Sequence, residues 1–281
     1  MTLQMKPAQR QVAAVTGGAR GIGAAIARAL TASGYAVAVG DIDERAASEL
    51  GDRIGGFGGH LDVSRLAEME TFVERAEERL GPIDVFVNNA GVMTVGPFLD
   101  QDEAVIRRQF EVNVFGVING MKVMLPRMHD RGHGHIVNIA SASALVGVPG
   151  LSTYSAGKHA VFGLSEAVRA ELRGTGIQVT VVLPGHVRTE LAAGTRAARG
   201  MGWIDPEQVA DAVVRAVQHP RFAVYVPRRL GFTLKFAAAL PRPLRDGMAL
   251  LSGTHKVAQR HDAAVRQDYE EELAAQAHQK P

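Results

Sequence analysis

The chain has no cysteine. That absence removes disulfides, thiolate nucleophiles and cysteine-ligated zinc together, and it fits a reducing compartment. It has no run of eighteen apolar residues, so no membrane-spanning helix is expected. Residues 1–11 are short and polar and lack the apolar stretch of a secretory signal, so the expected location is cytoplasmic. Excess charge is also lacking. The formal net charge of +2 gives no argument for nucleic acid as a partner.

What is present is an ordinary globular balance over 281 residues, with 46% hydrophobic and 21% charged residues. A sizeable core can form, and the length suits one large α/β domain with an appendage. Short apolar, β-branched runs alternate with longer periodic segments. The predicted strands are 12–15, 36–39, 60–63, 84–87, 135–140, 178–183 and 222–226. Between them the pattern predicts helices over 22–33, 44–53, 65–80, 102–129, 154–173 and 205–219. Residues 55–59, four of them glycine, read as a loop, and Ser64 as the N-cap of the helix that follows.

Strand-helix-strand repetition implies a parallel sheet covered on both faces, a doubly wound Rossmann-like α/β fold of about seven strands. Residues 1–227 form that catalytic and cofactor-binding unit. Residues 228–281 show no strand pattern, and prolines cut them into helical pieces, an extension expected to pack on the core.

The segment Thr16-Gly17-Gly18-Ala19-Arg20-Gly21-Ile22-Gly23 follows the first strand and opens the first helix. Glycines let the backbone approach a pyrophosphate closely, and the helix start offers free N–H groups and a favourable dipole. Asp41 ends the second strand. A carboxylate there can accept both adenosine ribose hydroxyls and repels a 2′-phosphate, which favours NAD over NADP. Arg20 is the counter-signal, since a base in the glycine loop can pair with that phosphate.

These motifs resemble the short-chain dehydrogenase/reductase family over residues 10–227. The resemblance rests on the T-G-x-x-x-G-x-G loop, on Asn88-Asn89-Ala90-Gly91 after the fourth strand, and on Tyr154-Ser155-Ala156-Gly157-Lys158. It implies that Asn89, Ala90 and Gly91 border the cofactor and that Asp62 and Val63 contact the adenine. It implies that Pro184 and Gly185, with Val187 and Thr189, hold the nicotinamide carboxamide. It also implies a catalytic set of Asn113, Ser141, Tyr154 and Lys158. Lys158 would bind the nicotinamide ribose, and Asn113 would anchor a water linking Lys158 to solvent.

The physical logic of the tyrosine and lysine stands apart from the resemblance. Hydride transfer at a carbinol carbon needs a proton moved at the oxygen. A free tyrosine titrates near about 10, too high for an efficient base at neutral pH. Lys158 lies one turn along the same helix face, so its ammonium is expected to stabilise the tyrosinate. Ser141 would hold the substrate oxygen about 3 Å from the phenol.

The substrate pocket is expected along 92–95, 145–148 and 190–204, with Val95, Leu145, Ser143 and His186 as wall residues beside Ser141 and Tyr154. The apolar walls suggest a lipophilic alcohol or ketone of sterol, retinoid or fatty-chain type. The glycine- and alanine-rich 190–204 segment, with Arg196 and Arg199, reads as a mobile lid. His129, His133 and His135 flank a turn and lack the companions of a familiar metal set, so no metal is expected.

Residues 228–260 carry seven Lys or Arg against the single acid Asp246, interleaved with apolar residues such as Phe232 and Phe236, Met248, Leu250 and Leu251. Packing on the core or a sister subunit is the favoured reading, and peripheral contact with an anionic membrane is the alternative. The family resemblance implies a homodimer or homotetramer, and small residues at 156, 157, 160 and 163 would permit close helix approach. The leading function is an NAD(H)-linked alcohol dehydrogenase or ketone reductase. The alternatives are an NADPH-dependent carbonyl or acyl-thioester reductase and a non-catalytic NAD-binding sensor or scaffold.

Overall fold

A computed structural model of the chain describes residues 10–195, 202–244, 247 and 262–278. The strands are β1 (Val12–Thr16), β2 (Ala36–Asp41), β3 (Phe57–His60), β4 (Ile83–Asn88), β5 (Gly134–Ile139), β6 (Ile177–Pro184) and β7 (Ala223–Val226). They pair in the order β3-β2-β1-β4-β5-β6-β7, all parallel. The helices are α1 (Gly21–Ala32), α2 (Glu44–Arg53), α3 (Leu66–Leu80), α4 (Glu103–Phe110), α5 (Gly116–Arg131), α6 (Ser152–Glu171), α7 (Pro206–Gln218), α8 (Arg228–Ala239) and α9 (Ala263–His278).

The strands read as unbroken apolar runs because both sheet faces are covered. All five residues of β1 are buried. One face packs Met69, Phe72 and Val73 of α3 with Met121, Met124 and Met128 of α5. The other packs Ile26 and Leu30 of α1 with Val209 and Val213 of α7. The strand order reverses between β1 and β4, and a doubly wound sheet places its ligand cleft at the carboxyl ends of the strands there.

Three local expectations are corrected. Residues 57–60 are a strand, and a glycine within it serves packing. A Cβ on Gly58 would lie 2.6 Å from the Ser48 Cα, so α2 rests on β3 backbone to backbone. Ser64 does not cap α3. Its hydroxyl donates to Asp62 Oδ1 at 2.7 Å, and the cap position falls to Arg65 without a side-chain bond. The long helix is not uniform. A π-helical turn, Glu111–Phe115, joins α4 to α5 and carries Asn113 inward to full burial.

The histidines do not gather. His135 lies inside β5, buried and bonded to Thr180 Oγ1 at 2.8 Å, and burial pushes it down to about 4. His133 faces Asp84 from an exposed position. Among the described residues no helix is long and apolar enough to cross a membrane. Arg196, Arg199, Met248, Leu250 and Leu251 lie outside the described residues.

Under the cleft, a buried polar chain ties β4, β5 and α6. Asn88 Nδ2 donates to Asn138 Oδ1 at 2.8 Å, and Asn138 Nδ2 donates to Ser165 Oγ at 2.8 Å. All three side chains are shut from water, and losing Asn138 removes both bonds, the Asn88 amide losing its acceptor in a buried site. Asn138→Ala should therefore lower the free energy of urea unfolding by about 2–3 kcal/mol. Glu49→Ala, in an exposed pair with Arg45, should change it by less than about 0.5 kcal/mol. Equal effects would contradict a structural role for the chain of amides.

Candidate active site

The glycine turn between β1 and α1 is clamped from β4. Thr16 Oγ1 accepts from Asn89 N at 3.0 Å and Ala90 N at 3.1 Å. Asn89 Nδ2 donates back to the carbonyls of Thr16 and Gly17, each at 2.9 Å. Gly17 has φ +58°, and a Cβ there would meet Ala90 Cα at 2.7 Å. α1 begins without a side-chain cap and without an acid in its first turn. Its first N–H groups are left for an anion.

A cavity of about 480 Å³ opens over this turn, lined by Gly17, Arg20, Gly21, Ile22, Gly23, Asp41, Asn89, Gly91 and Thr189. Asp41 is held rigidly there. Its Oδ2 accepts from Ala19 N at 2.9 Å and its Oδ1 from Asp43 N at 3.1 Å. Arg20 bridges Asp43 at 3.2 Å and Glu190 at 3.3 Å in half-exposed pairs. The bare glycine cradle, the uncapped helix start and the carboxylate at the end of β2 fit the pyrophosphate and adenosine ribose of a dinucleotide.

Asp62 and Val63 are not among the lining residues. Asp62 Oδ2 binds Arg108 at 2.9 Å and Oδ1 binds Ser64, which holds its carboxyl below the usual range against the opposing effect of burial. Val63 packs against Gly116, where a Cβ would lie 2.6 Å from Val63 Cγ2. Ala90 acts from behind, as the residue Gly17 must clear.

The catalytic candidates converge. Ser141 follows β5 and lines the same cavity as Tyr154, in the first turn of α6. Lys158, one turn on, donates to Ile139 O at 3.0 Å and sits 5.6 Å from the Tyr154 ring centre. Both are buried, and burial governs both. Tyr154 is pushed well above the ordinary tyrosine range, chiefly by desolvation. The Ser141 hydroxyl pulls the other way, and the neighbouring Tyr269 phenol adds to the rise. Desolvation pushes Lys158 down to about 8. The expected lowering of Tyr154 is thus not found. The ammonium is anchored on a carbonyl, and desolvation of the phenol is the larger effect.

The Asn113 side chain binds one residue, accepting from Val92 N and donating to Val92 O, each at 2.8 Å. It fixes the strand-end loop that carries Gly91, where a Cβ would lie 3.7 Å from Lys158 Nζ.

The substrate side is a smaller, mainly apolar cavity of about 140 Å³. Ser141, Ser143 and Tyr154 supply its hydroxyls. Ile22, Met93, Val148, Leu151 and Leu191 supply its walls, and Pro184, Gly185, His186, Val187, Thr189 and Thr195 close one side. Ser143 Oγ is buried with no hydrogen-bond partner. His186 Nε2 is bonded to Thr195 Oγ1 at 2.9 Å, its ring meets Trp203 edge-on, and burial lowers its pKa. Val95 stands one layer back, in the apolar cluster around Tyr154. Leu145 turns away and packs on the main core.

Several site residues escaped the sequence reading: Thr16 as a clamp, and Arg266 and Tyr269 on α9. Thr16 could have been found as the residue that opens the glycine motif. For Arg266 and Tyr269 no local signal exists, because their partners lie far away in the chain.

Residues 11–200 match the family model described as short chain dehydrogenase. The oxidoreductase UcpA of Salmonella typhimurium is 34% identical over 253 residues, covering 88% of this chain and 92% of its own length. The ketoacyl reductase HetN of Nostoc sp. is 35% identical over 220 residues, covering 75% and 77%. Among solved structures, a short chain dehydrogenase/reductase from Burkholderia phymatum in complex with NAD aligns with a TM-score of 0.75 and 27% identity, covering 82% of this chain and 94% of that one. An alcohol dehydrogenase from the archaeon Thermococcus sibiricus, complexed with 5-hydroxy-NADP, aligns with a TM-score of 0.67 and 31% identity, covering 76% and 94%.

Thr16→Val keeps the shape but removes the acceptor for two amides. It should weaken NADH binding by about tenfold, read by NADH fluorescence, on the scale of about 1.4 kcal/mol of lost loop order. Unchanged affinity in a folded variant would show that the clamp is dispensable.

Proposed function

The chain belongs to the short-chain dehydrogenase/reductase family, and from that premise we propose that it transfers a hydride between NAD(H) and a lipophilic secondary alcohol or ketone, with Tyr154 as acid/base. The observation that carries this reading is the cavity wall that Ser141 and Tyr154 share beside buried Lys158. When bound, the nicotinamide cofactor gives or takes the hydride at the substrate carbon. Everything else falls to the protein.

The first N–H groups of α1 would receive the pyrophosphate, and Asp41 the adenosine ribose hydroxyls. Support for NAD over NADP comes from Asp41. Its carboxylate is already fixed by two backbone amides and cannot swing away from a 2′-phosphate. Arg20, the opposing signal, has its charge engaged by Asp43 and Glu190. NADH should bind at least about tenfold more tightly than NADPH, about 1.4 kcal/mol. Titration with both by fluorescence decides it, and tighter NADPH binding would instead favour the carbonyl or acyl-thioester reductase reading.

In the ketone-to-alcohol direction, Ser141 donates a hydrogen bond to the carbonyl oxygen and orients it towards Tyr154. Tyr154 then delivers its phenolic proton to that oxygen. Burial keeps the phenol protonated at neutral pH, the form this direction needs. Lys158 remains charged below about pH 8 and offsets the negative charge left on the tyrosine. Alcohol oxidation runs these transfers in reverse and needs the phenol deprotonated first. The apolar walls of Ile22, Met93, Val148, Leu151 and Leu191 support a lipophilic substrate.

Tyr154→Phe should reduce kcat for ketone reduction by about 10²–10⁴-fold while leaving NADH affinity unchanged. Wild-type reduction should be flat at low pH and fall as pH rises through about 8, where Lys158 loses its proton. In Lys158→Arg the cation persists, so that falling limb should move upward whatever the residual rate. Full turnover by the phenylalanine variant, or an unmoved limb in the arginine variant, would refute the assignment.

A further inference from the structure

The family match ends at residue 200, yet α9 forms part of the cleft. Tyr269, Glu272, Leu273 and Gln276 line the same cavity as Gly17, Tyr154 and Lys158. The side chain of Arg266, on the same helix, has no exposure at all. Its Nη1 donates to the carbonyls of Leu191 at 2.9 Å and Ala193 at 3.0 Å. Its Nη2 donates to Met93 O at 2.9 Å, and its Nε to Glu270 Oε1 at 2.8 Å. The guanidinium lies 5.1 Å over the Tyr269 ring, and the Tyr269 hydroxyl accepts from Met93 N at 2.9 Å.

A buried guanidinium is costly unless its donors are met, and these donors are met by two particular segments. Met93 and Leu191, far apart in the chain, form two lips of the substrate cavity, and both line it. Arg266 therefore ties the two lips to each other and to the helix above them. Gly194 leaves the room for this. Its φ is +71°, and a Cβ there would stand 3.0 Å from Arg266 Cγ. Asp262 N also donates to Gly194 O at 2.9 Å, a further stitch between the start of α9 and the same lip.

Size decides what the clasp means. The substrate cavity of about 140 Å³ lies below the roughly 300–1,000 Å³ of ordinary small-molecule pockets. With the lips tied, that cavity by itself is too small for a long lipophilic substrate. The same helix also roofs the cavity assigned to the cofactor.

We propose that α9 is the movable roof of the active site and Arg266 its latch, so that this clasp sets both the substrate size admitted and the rate at which cofactor leaves. Tyr269 is the wall residue that the roof sets into the cleft, and Arg266 is a positioning residue acting through the two lips. The inference rests on reading the cleft as the cofactor and substrate site.

The test uses the full chain, its Arg266→Met and Arg266→Lys variants, and a chain ending at residue 261. NADH release is followed by stopped-flow fluorescence after mixing with excess NAD. Both point variants should release NADH at least about tenfold faster than wild type. Lysine keeps the charge but lacks the planar fork that reaches three carbonyls, so it should behave like methionine. Across a homologous series of aliphatic ketones, KM for the shortest should rise with kcat little changed, and the preferred chain length should increase. The truncated chain should show the same pattern if it folds, and the point variants decide the matter if it does not. Release within about twofold of wild type in folded Arg266 variants, with an unaltered chain-length profile, overturns the latch while leaving the proposed function standing. No NADH binding by wild type would instead overturn the reading of the cleft, and the latch with it.

Discussion

Lys158 carries an ammonium into a region that water does not reach, one helical turn beyond a phenol that is equally shut away. A carbonyl must stand in for water, and Ile139, the last residue of β5, provides it at 3.0 Å. That bond sets α6 against the end of β5. The residue before it, Asn138, binds Ser165 on α6 from the same junction and reaches Asn88 on β4. Lys158 and Ser165 lie two turns apart on one helix, so the junction is pinned at two heights. Tyr154 and Ser141 inherit their places from it, one in the first turn of α6 and the other just past β5.

The electrostatics of the cleft follow from the same burial. Desolvation favours a neutral phenol and weakens the hold of the lysine on its proton. Near neutral pH the pair stands as an acid beside a cation that is ready to compensate for its loss. At the far end the polarity is different. α1 presents unfilled N–H groups, while Asp41 presents a carboxylate fixed by the backbone amides of Ala19 and Asp43. One end of the cleft therefore suits a pyrophosphate and hydroxyls, and the other a proton moving onto oxygen.

Between these ends the structure is tied by residues whose partners lie far along the chain. Thr16 and Asn89 lock the glycine turn to β4. Asn113 locks the Val92 backbone from a π-helical turn. Arg266 locks Met93 to Leu191 and Ala193. Each tie satisfies backbone groups in a loop that has no strand or helix to pair with, which is what a rigid site built on loops requires. The mistaken expectations share this origin. Ser64 was expected as a cap and instead completes the ion pair of Asp62 with Arg108. Leu145 was expected in the pocket and faces the core, because apolar character alone does not say which apolar space a residue fills.

The order of strands and helices was legible from periodicity, and the glycine turn, Asp41, Ser141, Tyr154 and Lys158 from short motifs. Local sequence suffices for these because their chemistry works across a few neighbouring residues: a helix turn separates Tyr154 from Lys158, and one βα turn makes the anion cradle. The tertiary structure alone decided the balance that protonates Tyr154, the inward turn of Asn113, and the roof formed by α9. Desolvation depends on everything packed around a group. A buried guanidinium such as that of Arg266 depends on carbonyls more than seventy residues away along the chain. Neither quantity is written in any short stretch of sequence.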